Sequence, residues 1–221
     1  MKVEVVKNIL ETNDIQAEKN SQLFSEHGIY VINLMSSPGA GKTSLLEQTI
    51  DRVRAHMIIG VIEGDIAGSF DADRLRQRNI PVVQINTDGG CHLDAQMIHK
   101  SLNNLPLERL DLLFIENVGN LVCPARFNLG ENEKVVILSI TEGHDKPLKY
   151  PIIFEESSAL IINKLDLMPY VDADKEKIKH DAMLLNHSLN IFEMSCKTGE
   201  GFDRWIDYLL MHTKNHKLVY S

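Results

Sequence analysis

Apolar positions along this chain come in short dense runs, separated by longer stretches where apolar and polar residues alternate at helical spacing. The runs are Tyr30–Met35, Met57–Ile62, Pro81–Ile85, Leu112–Ile115, Val135–Ile140, Leu160–Ile162 and Ile191–Met194. Runs this short, rich in Val, Ile and Leu, predict strands buried on both faces of a parallel sheet. Helical patterns lie between most of them, over residues 42–55, 69–78, 92–103, 173–188 and 201–213. The alternation predicts an α/β fold with a mostly parallel central sheet of about seven strands and helices on both faces. Residues 3–25 read as a further helix, with Val6, Leu10 and Leu23 apolar among many charges. The expected organisation is an N-terminal helical segment over residues 1–28 and one domain over residues 29–221.

Parallel sheets of this kind bind ligands beyond the carboxyl ends of their strands. The motifs fall there. Ser36-Ser37-Pro38-Gly39-Ala40-Gly41-Lys42-Thr43 follows the first strand and opens a helix. Backbone N–H groups around Gly39 and Gly41 form a nest for phosphate oxygens, and the helix start adds its positive dipole end. Lys42 would reach the β- and γ-phosphates, and the Thr43 hydroxyl would ligate Mg²⁺. This is a P-loop, although Ser36 stands where the usual pattern has its first glycine. The phosphate-binding set is Ser37, Pro38, Gly39, Ala40, Gly41, Lys42, Thr43 and Ser44.

Asn163-Lys164-Leu165-Asp166 follows the sixth apolar run. The Asp166 carboxylate would accept from the N1–H and 2-amino group of guanine, and adenine lacks that pair of donors. The Lys164 stem would cover the base. Ser195-Cys196-Lys197, after the last run, resembles the loop that backs the guanine carbonyl in GTPases. Together they predict GTP as the nucleotide and disfavour an ATP-dependent kinase.

Glu116-Asn117-Val118-Gly119 ends the fourth run and resembles the Asp-x-x-Gly switch, with Glu in place of Asp. Glu116 would hold Mg²⁺, and the Gly119 N–H would meet the γ-phosphate. Asp65, in Glu63-Gly64-Asp65, either orients the attacking water or completes the Mg²⁺ shell; a solvated turn carboxylate is the plain alternative. Lys42, Asp65 and Glu116 form the expected catalytic set, and Thr43, Asp65 and Glu116 the Mg²⁺ set. No glutamine adjoins Gly119 to position water, so hydrolysis is expected to be slow.

Gly89-Gly90-Cys91-His92 is expected to start a helix, whose dipole would favour a Cys91 thiolate. Cys123 lies shortly after the switch. Thiolate and imidazole suit Zn²⁺ or Ni²⁺, while isolated cysteines also serve as small core residues. Cys91, His92 and Cys123 are three candidate ligands, one short of a tetrahedral set. A two-fold dimer would bring six side chains, enough for a dinuclear site if two thiolates bridge. His99 is expected to be a solvated helix residue. His212 and His216 have ligand spacing but lie in a tail expected to fray. Trp205 and Phe202 are expected core anchors.

Composition narrows this further. Three cysteines are an odd number and argue against a disulfide framework. A net charge of -8 gives no electrostatic case for nucleic acid or an anionic membrane. No apolar run approaches the roughly 20 residues of a spanning helix. The first residues show no signal-peptide core, so a cytoplasmic chain is expected.

The phosphate loop, Glu-Gly-Asp at 63–65, Gly-Gly-Cys-His-Leu-Asp-Ala at 89–95, Glu-Asn-Val-Gly-Asn-Leu-Val-Cys-Pro at 116–124, Thr-Glu-Gly-His-Asp-Lys-Pro at 141–147 and Asn-Lys-Leu-Asp occur in this order. Together they closely resemble the hydrogenase maturation GTPases, the HypB nickel-incorporation family, from about residue 29 onward. The resemblance implies a SIMIBI-class GTPase that forms a homodimer with GTP. It implies aid in nickel delivery to [NiFe]-hydrogenase, with a nickel-delivery protein and the hydrogenase large-subunit precursor as partners. It implies GTP, Mg²⁺ and Zn²⁺ or Ni²⁺ as bound species, Cys91, His92 and Cys123 as metal ligands, and Ser36 as normal for the loop. It suggests a nucleotide or dimer role for residues 141–147. The Cys-rich N-terminal nickel motif and His-rich tract of some members are missing, so only the site within the GTPase domain is expected. A urease accessory GTPase, which typically carries Cys-Pro-His, is the nearest alternative. The methylmalonyl-CoA mutase chaperone GTPases lack this cysteine pattern. A metal carrier merely regulated by GTP is the reading from another class.

Overall fold

The computed structural model describes residues 2–66, Gly68 and residues 70–220, with side chains from Ile9 onward. The Val6 side chain and Ser69, the expected start of a helix, lie outside the described residues. Seven strands form: β1 (Tyr30–Ser36), β2 (Ile59–Asp65), β3 (Val82–Asn86), β4 (Leu112–Glu116), β5 (Glu133–Ser139), β6 (Ala159–Asn163) and β7 (Asn190–Glu193). They make one sheet in the order β3-β2-β4-β1-β5-β6-β7, and every pairing is parallel. The expected α/β architecture is the one observed. β1 lies between β4 and β5: the chain leaves it for β2 on one side, and the later β4-to-β5 crossover passes it to the other. The crevice at its carboxyl end is where such sheets bind ligands.

The helices are α1 (Lys2–Glu26), α2 (Lys42–Val53), α3 (Phe70–Arg76), α4 (Ala95–Leu102), α5 (Cys123–Arg126), α6 (Lys146–Lys149), α7 (Pro151–Glu155), α8 (Lys175–Leu185) and α9 (Phe202–Tyr220). α2 and α9 cover one face. Alternate strand residues Tyr30, Ile32, Leu34, Leu112 and Phe114 pack there against Leu46, Ile50 and Trp205. Trp205 is fully buried as expected, and its indole N–H donates to Thr49 Oγ1 at 3.0 Å. Truncating it to Ala would cost about 3–5 kcal/mol in lost burial and cavity. On the opposite face, Val31, Leu113 and Ile115 meet Phe24, Ile98 and Leu129. α1 is fixed to this face by polar keys: Asn20 Nδ2 donates to the carbonyls of Ala95 and Leu129, and Ala95 N donates to Asn13 Oδ1.

Several boundaries differ from the sequence expectation. α4 begins at Ala95, because Asp94 caps it by accepting from Met97 N at 2.7 Å. Cys91 therefore stands in the turn before the cap, away from the helix dipole that was expected to favour its thiolate. α9 runs on to Tyr220, and the tail does not fray before that residue. His216 is buried, with its ring 5.4 Å from Tyr30. The short helices α5, α6 and α7 follow or contain prolines and were not expected. No helix among the described residues is long and apolar enough to cross a membrane.

Candidate functional site

The phosphate loop joins β1 to α2. Gly39 and Gly41 hold φ values of 75° and 105°, which side-chain-bearing residues rarely adopt. Ser36 ends β1 without a positive φ, so this position needs no glycine. Its hydroxyl instead accepts from Lys42 Nζ at 3.0 Å. A Cβ on Gly41 would come within 2.5 Å of Asn163 Nδ2, so the glycine lets the two loops meet. Asn163 Nδ2 donates to Ala40 O at 2.9 Å, and Lys164 Nζ to Gly39 O at 2.6 Å.

Beside this loop lies a cleft of about 350 Å³, lined by Gly41, Ser44, Asn163, Lys164, Asp166, Leu167, Cys196 and Lys197. The size is adequate for a purine. Asp166 Oδ1 accepts from Ser195 Oγ at 2.6 Å, which orients the carboxylate. Cys196 N donates to Asn163 Oδ1 at 3.1 Å. Burial pushes the Cys196 thiol up to about 11, so it stays protonated. The structure thus gathers the expected phosphate and base residues around one rim.

The carboxylates behind the loop sort differently from expectation. Glu116 is buried and accepts from Thr43 Oγ1 at 2.8 Å, while its Oε2 has no partner. Burial raises it to about 7, against the pull of Lys42 and Thr43. Glu63 pairs with Glu116 in register across β2 and β4 and is equally buried, and its Oε2 also lacks a partner. Burial first, then Glu116, lifts Glu63 to about 8. Burial lowers Lys42, opposed by Glu116, Asp71, Glu63 and Glu142. Asp65 sits further out, where Oδ1 accepts from Ile66 N at 2.7 Å.

Glu63, Asp71 and Glu142 were not singled out from sequence. Glu142 accepts from Ser37 Oγ and, through Oε1, from Ser139 N at 2.9 Å. It thereby ties the 141–147 segment to the phosphate loop. The signal for Glu63 was present: a carboxylate inside the apolar run Val61-Ile62-Glu63 is out of place unless it serves something. Two orphaned carboxylate oxygens beside a threonine hydroxyl form an oxygen donor set suited to a small hard cation.

The second cluster lies at the same sheet end. Cys91 Sγ is 3.1 Å from Cys123 Sγ and 3.5 Å from His92 Nδ1. Ligand atoms of the three residues all lie within 4.8 Å of one another. Burial lowers His92, favouring the neutral ring that binds metals. The His92 ring packs 3.9 Å from that of Phe127. His99 is exposed, with Nδ1 3.1 Å from Asn20 Oδ1. The three expected ligands therefore meet within one chain, in a donor set suited to soft and borderline metals.

Comparison with known proteins shows the family. The CobW/HypB/UreG nucleotide-binding domain matches residues 30–193. The hydrogenase maturation factor HypB of Escherichia coli (strain K12) is 48% identical over 207 residues, covering 94% of this chain and 71% of the relative. The crystal structure of HypB from Helicobacter pylori in complex with nickel superposes with a TM-score of 0.88 at 40% identity, covering 93% of this chain and 97% of that one. HypB from Archaeoglobus fulgidus gives a TM-score of 0.87 at 45% identity, covering 92% and 100%. This chain belongs to the HypB family, within the CobW/HypB/UreG nucleotide-binding domains.

Proposed function

We propose that this chain is a slow GTP hydrolase of the cytoplasm, whose nucleotide state governs nickel handling during hydrogenase maturation. The observation that carries the reading is the shared rim. A phosphate loop, a guanine cleft and a Cys/His cluster occupy one end of one sheet. The switch segment 116–119 touches both halves: Gly119 packs on Pro38, and Asn117 bonds the loop that bears Cys91 and His92.

In this reading the phosphate loop backbone and Lys42 bind the triphosphate, and Asp166 reads the guanine edge. Thr43 and Glu116 hold Mg²⁺, with Asp65 and Asp71 supplying further negative charge. Mg²⁺ neutralises charge on the phosphates when bound. Lys42 stabilises charge developing on the leaving and transferring phosphate oxygens. The side chains beside Gly119 are Val118 and Asn120, neither a glutamine, so water is poorly positioned and turnover is slow.

Nickel is cargo here. Cys91, His92 and Cys123 offer three donors, and a second copy of the chain would offer three more. Solvent-exposed Ile66, Phe70 and Val122 lie after the adjacent strands β2 and β4, in keeping with a face covered by that copy. The nickel acceptor is a hydrogenase large-subunit precursor, and the donor a separate nickel-delivery protein. The names of the E. coli and H. pylori relatives, a hydrogenase maturation factor and a HypB in complex with nickel, support the maturation role and the metal; the two partners are what the family resemblance implies.

The test is phosphate release from GTP, together with molecular mass and nickel content in GDP and in a non-hydrolysable GTP analogue. A dimer with altered nickel content in the analogue supports the reading. Equal mass and nickel content in both states would defeat it and leave a guanine-binding protein that also binds metal.

A further inference from the structure

Asn117 follows Glu116 and is 1% exposed. A carboxamide this deep is costly unless its atoms are paired. Here Oδ1 accepts from Leu93 N at 3.1 Å and from Val118 N at 3.0 Å. Nδ2 donates to Asn33 Oδ1 on β1 at 3.1 Å. One side chain thus ties three segments: the strand leading into the phosphate loop, the switch segment, and the loop bearing Cys91 and His92.

Both ends of this link are stiff. Leu93 is fully buried, and its methyl groups pack so tightly over Gly64 that a Cβ there would sit 2.7 Å away. At the other end, a Cβ on Gly119 would come within 2.9 Å of Pro38 Cα, so the switch lies directly on the phosphate loop. Asn120 adds a second, exposed link. Its Nδ2 donates to Cys91 O at 3.3 Å, and its Oδ1 accepts from Val122 N, one residue before Cys123, at 2.8 Å. Both cysteines therefore hang from one switch segment, one through Asn117 and Leu93 and the other along the chain.

We propose that Asn117 is the positioning residue that transmits γ-phosphate occupancy to the Cys91–His92–Cys123 cluster. A shift of Val118 and Gly119 against Pro38 moves the atoms that hold Asn117, and Leu93 follows through its N–H bond. Cys91 and His92 then change their spacing to Cys123. The proposal deepens the coupled reading given above and rests on it. Close-packed segments of this kind transmit small shifts as discrete rearrangements.

The test is Ni²⁺ titration of wild type and Asn117→Ala, each loaded with GDP and with a non-hydrolysable GTP analogue. The quantity read is the ratio of the two nickel dissociation constants. Wild type is expected to show a ratio of at least about 5, the lower end of ordinary allosteric coupling. Asn117→Ala is expected to bring it close to one, while nickel stoichiometry and nucleotide affinity stay within about 3-fold of wild type. A wild-type ratio retained in Asn117→Ala overturns the role of Asn117 alone. A ratio near one in wild type removes the coupled reading itself. If Asn117→Ala does not fold, amide hydrogen exchange at Leu93 decides on the wild-type chain. Protection there is expected to differ several-fold between the two nucleotide states, and equal protection overturns the proposal.

Discussion

Around the phosphate loop the chemical side chains are buried and bonded to one another, whereas around the cysteines they are open to solvent and held mainly through backbone. Thr43, Glu63, Glu116, Asn163 and Ser195 are all buried, and Cys91 is exposed with His92 and Cys123 half-buried. Thr43 bonds Glu116, Lys42 bonds Ser36, and Ser195 bonds Asp166. The three candidate ligands touch mainly one another, Cys91 Sγ meeting Cys123 Sγ and His92 Nδ1, with the Asn120 side chain also reaching Cys123. Further ties reach their loops through Asn117 on Leu93 N and Asn120 on Cys91 O. The difference is one of preorganisation. The nucleotide seat is built before its ligand arrives, and the cluster takes its geometry from whatever holds its loops.

The comparison breaks most visibly at Lys42. Lys42→Ala leaves two buried carboxylates without their cation and the phosphates without theirs. Losing the cation that faces a bound phosphate costs about 3–4 kcal/mol, within the range for a charge pair broken across an interface. GTP-analogue affinity is therefore expected to fall by roughly 100- to 1,000-fold. Ni²⁺ affinity of the nucleotide-free chain should hold within about 2-fold, since the cluster does not depend on that seat. Fluorescent-nucleotide binding and Ni²⁺ titration on the same preparation check both. An equal loss of nickel affinity would mean the two regions form one unit.

The reciprocal substitution is Cys123→Ala. It removes one of three donors from an already incomplete set, and Ni²⁺ affinity should fall on the order of 10- to 100-fold. GTP affinity measured without metal should stay within about 2-fold. A parallel loss of GTP binding would show that the loop after Gly119 is part of the nucleotide seat. Cys123 is half-buried and does not line the guanine cleft, which argues against that outcome.

The same contrast explains what was legible in the sequence. The strands were legible because each is a dense apolar run, and Ser36–Thr43 and Asn163–Asp166 because their chemistry is local in the chain. Glu63 was not singled out because its significance comes from β2–β4 register, which sets it against Glu116. Asp65 stands out in the sequence because it ends the run, where it bonds its own neighbour Ile66. Asn117 was hidden for the same reason, since Leu93 and Asn33 are remote in sequence. The four- and five-residue helices α5, α6 and α7 are too short to show a helical period. Gly89-Gly90 reads as a helix boundary at the cysteine, while the structure starts α4 at Ala95. Asp94, a good N-cap residue, marks the true start.

A smaller effect separates the regions by pH. Glu63 rises from an ordinary 4.5 to about 8, with burial the main cause and Glu116 next. Between those values the folded chain holds a proton that the unfolded chain has released. Stability contributed by the protonated group is therefore complete below 4.5 and declines as pH rises towards about 8. Glu116 acts in the same direction, up to about 7. Glu63→Gln keeps the shape and removes one of the two titrations. The melting temperature of the nucleotide-free, metal-free variant should decline less steeply across this window, the two chains diverging by a few degrees, on the order expected for a chain this size. Mg²⁺ with GDP should then raise the wild-type melting temperature more than that of the variant at the upper end of the window, because the cation relieves a carboxylate the variant no longer has. Identical slopes in the two chains would mean that Glu63 finds a partner the structure does not give it. The electrostatic tension of the nucleotide seat would then rest on Glu116 and Lys42 alone.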